Sequence, residues 1–171
     1  GRTPVLIRLT TRLSHSRSGV ERKAERPQNP LNVEKDPKQF ILLPANARRH
    51  YRKLLDKQPE FENDSLNSPF NKYIDGADKS MGIIASGIAY NYLMENFEGG
   101  KCPYPVLKIS QYPLPTKLIA KMIDECGKVL IAEEGYPFIE EQVRGVLNRT
   151  GNIMGRLSGE LPRDGELNPN L

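Results

Sequence analysis

KVLIAEEGYPFIEEQVRGVL, running from Lys128 to Leu147, is the stretch whose reading decides the fold. Val129, Leu130 and Ile131 form a short apolar run bounded by turn chemistry, the pattern of a strand covered on both faces. Glu133, Glu134 and Gly135 turn the chain, and Gly135 can enter backbone conformations closed to residues with a Cβ. Tyr136 and Pro137 open a helix, with proline at its first position, where the missing N–H costs nothing. Ile139, Val143, Val146 and Leu147 then recur at helical spacing on one face. An acidic turn at the carboxyl end of a parallel strand stands where open α/β sheets place their functional groups.

The same strand–turn–helix order recurs upstream. Met81 to Ala85 reads as a strand, and Ser86 as the cap of a helix that carries Ile88, Ala89, Tyr92 and Leu93 on one side and stops at Gly99 and Gly100. Val106 to Ile109 is the next strand. Pro113 and Pro115 then punctuate a turn into a helix with Leu118, Ile119, Met122, Ile123 and Cys126 inward, ended by Gly127. Downstream, Ile153 to Leu157 reads as a fourth strand. Regularly spaced strand–helix units of this kind predict a parallel sheet with right-handed crossovers. The expected fold class is therefore α/β, a small three-layer sandwich with a mostly parallel sheet. An extended N-terminal segment and a coreless C-terminal arm, Ser158 to Leu171, flank it.

The amino-terminal part is less regular. Pro4 to Leu9 looks like a strand, either an edge strand or, the favoured reading, the last strand of a domain that lies upstream. Thr10 to Gly19 reads as a polar loop, and Val20 to Gln39 has the composition of a linker. Phe40 to Leu43 leads into Pro44. A helix is expected from about Ala45, with Ala47, Tyr51, Leu54 and Leu55 on one face and Arg48, Arg49, Arg52 and Lys53 on the other. Pro59 should end or kink it. Glu60 to Asp78 reads as loop with one further helical turn.

At 171 residues the chain holds one ordinary domain, or one domain and a tail. The hydrophobic fraction of 37% is low for a compact domain, which agrees with a partly extended chain. The formal charge of +4 comes largely from the first third, and allows a polyanion-binding reading if the cations form a stripe. Cys102 and Cys126 form no CxxC and have no clustered His, so neither a disulfide framework nor a metal site is indicated. A reduced, cytoplasmic setting is the expectation. No apolar run approaches the roughly 18 residues of a membrane span. The Gly-Arg-Thr start suggests a piece of something longer.

Candidate chemistry is sparse. Ser86-Gly87 stands at a strand-to-helix turn that could bind an anion, but the glycine-rich phosphate fingerprints are missing. Glu133 and Glu134 could act as a base or hold a cation, or could simply favour the positive end of the following helix. Arg12, Ser14 and His15 lie in a dense polar cluster. Ser14 and His15 are sequence neighbours, whereas a nucleophile and its base converge from separate elements, and no GxSxG elbow is present. His50 lies in the basic helix and reads as solvated. The residues form no complete active site, and the chain reads as a helper domain. Arg12, His15, Ser86, Glu133 and Glu134 are its interface candidates.

Six motifs fall in one order: LTTRLSHSR, LLPANARRHY, IIASGIAYNYLMEN, YPLP, AEEGYPFIEEQVR and GELPRDGELNPNL. Together they resemble the alpha subunits of indolepyruvate:ferredoxin oxidoreductases, a thiamine-diphosphate-dependent family acting on 2-oxo acids. The resemblance covers nearly the whole chain. It implies that residues 1–19 end a pyrimidine-binding domain and 20–39 form a linker. Residues 40–157 would then form a domain like the C-terminal domain of transketolase, and 158–171 a connector to a diphosphate-binding domain.

For the whole enzyme the resemblance implies thiamine diphosphate, Mg2+ and 4Fe-4S clusters, a beta subunit, ferredoxin, coenzyme A and an arylpyruvate. It implies no catalytic, cofactor or metal residue within this chain, because no diphosphate motif, thiamine-activating glutamate segment or cysteine cluster appears. The alternative reading is a stand-alone module binding nucleic acid or another polyanion through the basic first half.

Overall fold

The structure is a computed structural model that describes residues 6–30, 33, 35–147, 153–155, 158–162 and 167–168, with the side chains of residues 146 and 147 outside that description. The chain divides into two units, Gly1–Ile41 and Leu42–Leu171.

In the first unit, Thr10 caps a short helix, α1 (Thr11–His15), by accepting the Leu13 N–H on Oγ1 at 3.4 Å. This helix replaces part of the loop expected over Thr10 to Gly19. The strand expected over Pro4 to Leu9 is not formed where it is described. Leu6, Ile7 and Leu9 are exposed and irregular, and no neighbouring backbone among the described residues offers them a ladder. A strand without partners has no hydrogen-bonded state to fall into. Pro4 and Val5 lie outside the described residues. Where it is described, the predicted linker is irregular apart from a 3-10 turn at Pro37–Gln39 that the Asp36 side chain caps.

The second unit opens with α2 (Pro44–Asp56), which starts one residue earlier than expected because Pro44 occupies its first turn. Pro59 kinks the chain rather than ending helix, so that α3 (Gln58–Leu66) follows at once. Where a loop with one helical turn was expected, the structure holds this α3 and then a strand, β1 (Lys72–Ile74). The regular part then runs β2 (Gly82–Ser86), α4 (Ile88–Glu95), β3 (Val106–Ile109), α5 (Thr116–Glu125), β4 (Val129–Ala132), α6 (Phe138–Leu147) and β5 (Ile153–Met154). Of the fourth predicted strand, Arg156 and Leu157 lie outside the described residues.

The five strands form one sheet in the order β1-β3-β2-β4-β5. All neighbours are parallel except β1, which pairs antiparallel with β3 at one edge. Right-handed crossovers then place α4 on one face and α5 with α6 on the other. The main core lies under α5 and α6. There Ile84, Leu107, Ile109, Val129, Ile131 and Ile153 meet Ile119, Met122, Ile123, Ile139 and Val143. Ile83, Ala85 and Val106 alternate with that set along the strands and are buried outside it, as is Ala89 of α4. Each fully buried side chain of this size contributes about 1.5–3 kcal/mol. The architecture is the α/β three-layer sandwich with a mostly parallel sheet that the strand–helix repeats predict.

Candidate functional site: the carboxyl edge of the sheet

The chain leaves β2 toward β3 on one side and leaves β4 toward β5 on the other, so the connections diverge between β2 and β4. Ala85 pairs with Ala132 in this register, so Ser86 and Glu133 end neighbouring strands beside that divergence. Open α/β sheets present their functional groups at such a place.

Glu133 is 4% exposed, and its two carboxylate oxygens accept the backbone N–H groups of Ile139 (2.9 Å) and Glu140 (3.0 Å). These are orphan donors of the first turn of α6, where a negative charge is favoured by the helix dipole. Burial pushes the Glu133 carboxyl above the ordinary glutamate value; the helix amides pull the other way and offset only part of that. The nearby Glu140 carboxylate adds to the rise. The side chain is thus a helix cap held at an electrostatic cost. Glu134, one residue on in the bend that follows, is exposed. Gly135 completes the turn at φ 81°, the left-handed region that favours glycine.

Ser86 does not cap α4, contrary to the sequence expectation. It remains in the β2 ladder opposite Ile109, and the N-cap is Gly87, with φ 56° and no side-chain hydrogen bond to the helix. The positive φ suits glycine and carries the chain off the strand before a serine hydroxyl could reach the first turn. Around this edge Tyr112, Tyr136, Phe138 and Ile88 are exposed, with the Tyr112 and Phe138 rings edge-to-face at 5.8 Å. Arg12 and His15 are exposed on α1, in the other unit of the chain.

Two polar constellations escape sequence reading. Glu140 is 1% exposed and pairs with Arg144 at 2.9 Å, while Arg144 Nη2 also donates to the Ile153 carbonyl at 3.1 Å. This ties α6 to β5, and the i,i+4 spacing of acid and base is the signal that could have found it. Asn71 is the second. Its Oδ1 accepts the N–H groups of Ser110 and Gln111 at 2.8 and 2.9 Å, and its Nδ2 donates to the carbonyls of Ser65 and Gln111, both at 3.0 Å. Ser65 Oγ donates in turn to the Pro113 carbonyl, beside the cis Tyr112–Pro113 bond. The network fastens the end of α3 to the exit of β3. No sequence signal announces it, since its partners lie about forty residues apart.

The donor set does not fit an iron–sulfur cluster, which takes four thiolates. Cys126 is buried in the core, Cys102 is half-buried, and no three His, Cys, Asp or Glu side chains converge among the described residues. Both oxygens of the buried edge carboxylate are already engaged by α6. No helix among the described residues is long and apolar enough to cross a membrane.

The chain is 36% identical, over 98% of its length, to indolepyruvate oxidoreductase subunit IorA of Methanothermobacter thermautotrophicus. It is 34% identical over 96% of its length to the same subunit of Archaeoglobus fulgidus, and 37% over 82% to that of Thermococcus kodakarensis. The chain spans only 28%, 26% and 23% of these relatives' own lengths, so it corresponds to about a quarter of such a subunit. No family model and no solved structure matches it. The resemblance carried by the six motifs is met by these relatives, which are named as subunits of an oxidoreductase.

Proposed function

We propose that the chain is a structural and assembly segment of the alpha subunit of a 2-oxo acid oxidoreductase. The whole enzyme, in this reading, decarboxylates an arylpyruvate such as indolepyruvate oxidatively, passes electrons to ferredoxin and yields an acyl-coenzyme A. The observation that carries the reading is the similarity to IorA subunits across almost the entire chain. Thiamine diphosphate, Mg2+ and 4Fe-4S clusters would be held by other parts of the subunit and its beta partner. Residues 40–157 would be the transketolase C-terminal-like domain, 1–19 the end of a pyrimidine-binding domain, 20–39 a linker and 158–171 a connector.

The chain's own contribution is to present a rigid edge. Glu133 fixes the first turn of α6, and Glu140 with Arg144 locks that helix to β5. Held in this way, Tyr112, Tyr136, Phe138 and Glu134 form a pre-organised surface for a neighbouring domain or subunit. A group whose lone pairs are engaged by helix amides supports this role better than that of a general base, which must be free to take a proton.

The test is indolepyruvate-dependent reduction of a viologen dye. The subunit carrying this chain, assembled with its beta partner, should turn over, and the 171-residue chain alone should not. Activity in the isolated chain would overturn the helper role. An assembled complex inert toward every arylpyruvate offered would overturn the enzyme assignment.

A further inference from the structure

Within the second unit, α3, the turn that leads into α5, α5 itself and α6 enclose a cleft of about 210 Å3. Leu114, Ile119 and Val143 form its floor, and all three belong to the core. Glu62, Thr116 and Gln142 stand around that floor. Among the described residues, none of these three has a side-chain hydrogen bond or an ion pair. A few polar groups converging on an apolar floor are the lining of a small-molecule site. The wall that α3 supplies is fixed: Ser65 Oγ donates to the Gln111 and Pro113 carbonyls, and Asn71 Nδ2 donates to the Ser65 carbonyl.

We propose that this cleft binds a compact apolar amine, with the ammonium at Glu62 and the apolar body over Leu114, Ile119 and Val143. Size sets the first limit. A dry cavity of about 150 Å3 holds a benzene ring, and pockets for drug-sized ligands run to about 300–1,000 Å3. At about 210 Å3 the cleft takes a ring with a short arm, and a nucleotide is too large for it. Charge sets the second limit. Glu62 is the charged residue of the lining, so it attracts a cation and repels a carboxylate or a phosphate. An ammonium has three donors, and the Glu62 carboxylate, the Thr116 hydroxyl and the Gln142 amide oxygen are three acceptors. Because Glu62 is exposed, water screens its charge, and the preference for a cation over a neutral isostere is about two- to fivefold. This binding needs no other part of a longer polypeptide.

The experiment titrates the 171-residue chain with phenethylamine, phenylethanol and phenylacetate, which share a ring and a two-carbon arm and differ in charge. Methyl and side-chain amide resonances are followed by NMR. The amine should bind saturably and shift the Leu114, Ile119 and Val143 methyls together with the Gln142 side-chain amide. Phenylethanol should bind about two- to fivefold more weakly, and phenylacetate more weakly again. Glu62→Gln, at an exposed site, should erase the preference for amine over alcohol and leave the alcohol's affinity within about twofold. No saturable binding of the amine, equal affinity for the three compounds, or shifts confined to other residues would overturn the proposal. So would an amine preference that survives Glu62→Gln.

Discussion

Replacing Glu133 with Ala removes the acceptor of two buried helix amides at once. The Ile139 and Glu140 N–H groups, bonded at 2.9 and 3.0 Å, would face a site that is 4% exposed. An orphaned buried donor costs about 1–3 kcal/mol, so the gross loss is about 2–6 kcal/mol. Against this, the substitution removes a carboxylate that burial and the Glu140 charge disfavour, so the net loss settles near 2–4 kcal/mol. For a domain whose total stability is about 5–15 kcal/mol, that is a large fraction. With a urea slope of about 2 kcal/mol/M, the unfolding midpoint should fall by roughly 1–2 M. The chain has seven Tyr and no Trp, so far-UV circular dichroism with tyrosine emission is the assay. Glu134→Ala, at an exposed site one residue on, should stay within about 0.5 kcal/mol of the parent. Equal effects at the two positions would refute the capping argument.

The remaining predictions follow from the same contacts. Because burial raises the Glu133 carboxyl above its ordinary value of 4.5, the folded state binds its proton more tightly than the unfolded state. The stability difference between the parent and Glu133→Gln should therefore shrink as pH rises from 4.5 through the raised pKa, and a difference that grows there would contradict this. Asn71→Ala unhooks the Ser65, Ser110 and Gln111 backbones together and should cost about 2–4 kcal/mol in a urea titration. Arg144→Ala removes the cation 2.9 Å from the buried Glu140 carboxylate and should cost about 3 kcal/mol, whereas the double variant Glu140→Gln/Arg144→Ala should cost less than the sum of its two single variants. Gly155→Ala places a Cβ against the Glu140 carboxylate and within 3.2 Å of the Ile131 carbonyl, and should destabilise by about 1–3 kcal/mol on thermal melting.

Much of the α/β layer was legible because its strands are short apolar runs and its helices bury one face. Val129–Ala132 and Phe138–Leu147 appear where the apolar run and the proline place them. β1 was not legible: Lys72, Tyr73 and Ile74 are too few to show a period, and their strand state comes from pairing with Lys108, Leu107 and Val106. α3 is hidden in the sequence because Asn63, Asp64 and Ser65 favour caps and turns. Tertiary bonds from Asn71 to Ser65 help to hold that helix end in place. At the edge, two adjacent glutamates look equivalent in one dimension. The difference lies in three dimensions: Glu133 is buried against the first-turn amides of α6, and Glu134 is exposed. Ser86 misled because a serine before a helix is a good cap, yet here the ladder keeps it for one more residue and Gly87 makes the turn.

The measurement that tests the central claim most directly is turnover per assembled complex with the edge altered. In the full subunit with its beta partner, Glu133→Gln and Glu134→Ala are compared with the parent by indolepyruvate-dependent dye reduction, after gel filtration to count assembled complexes. If the edge is structural, the yield of Glu133→Gln complex falls while kcat per complex stays within about twofold, a shift of under 0.5 kcal/mol in the barrier. Glu134→Ala should keep the parental kcat and change the assembly yield alone. A hundredfold loss of kcat in fully assembled Glu133→Gln complex would contradict this account and make that carboxylate part of the chemistry.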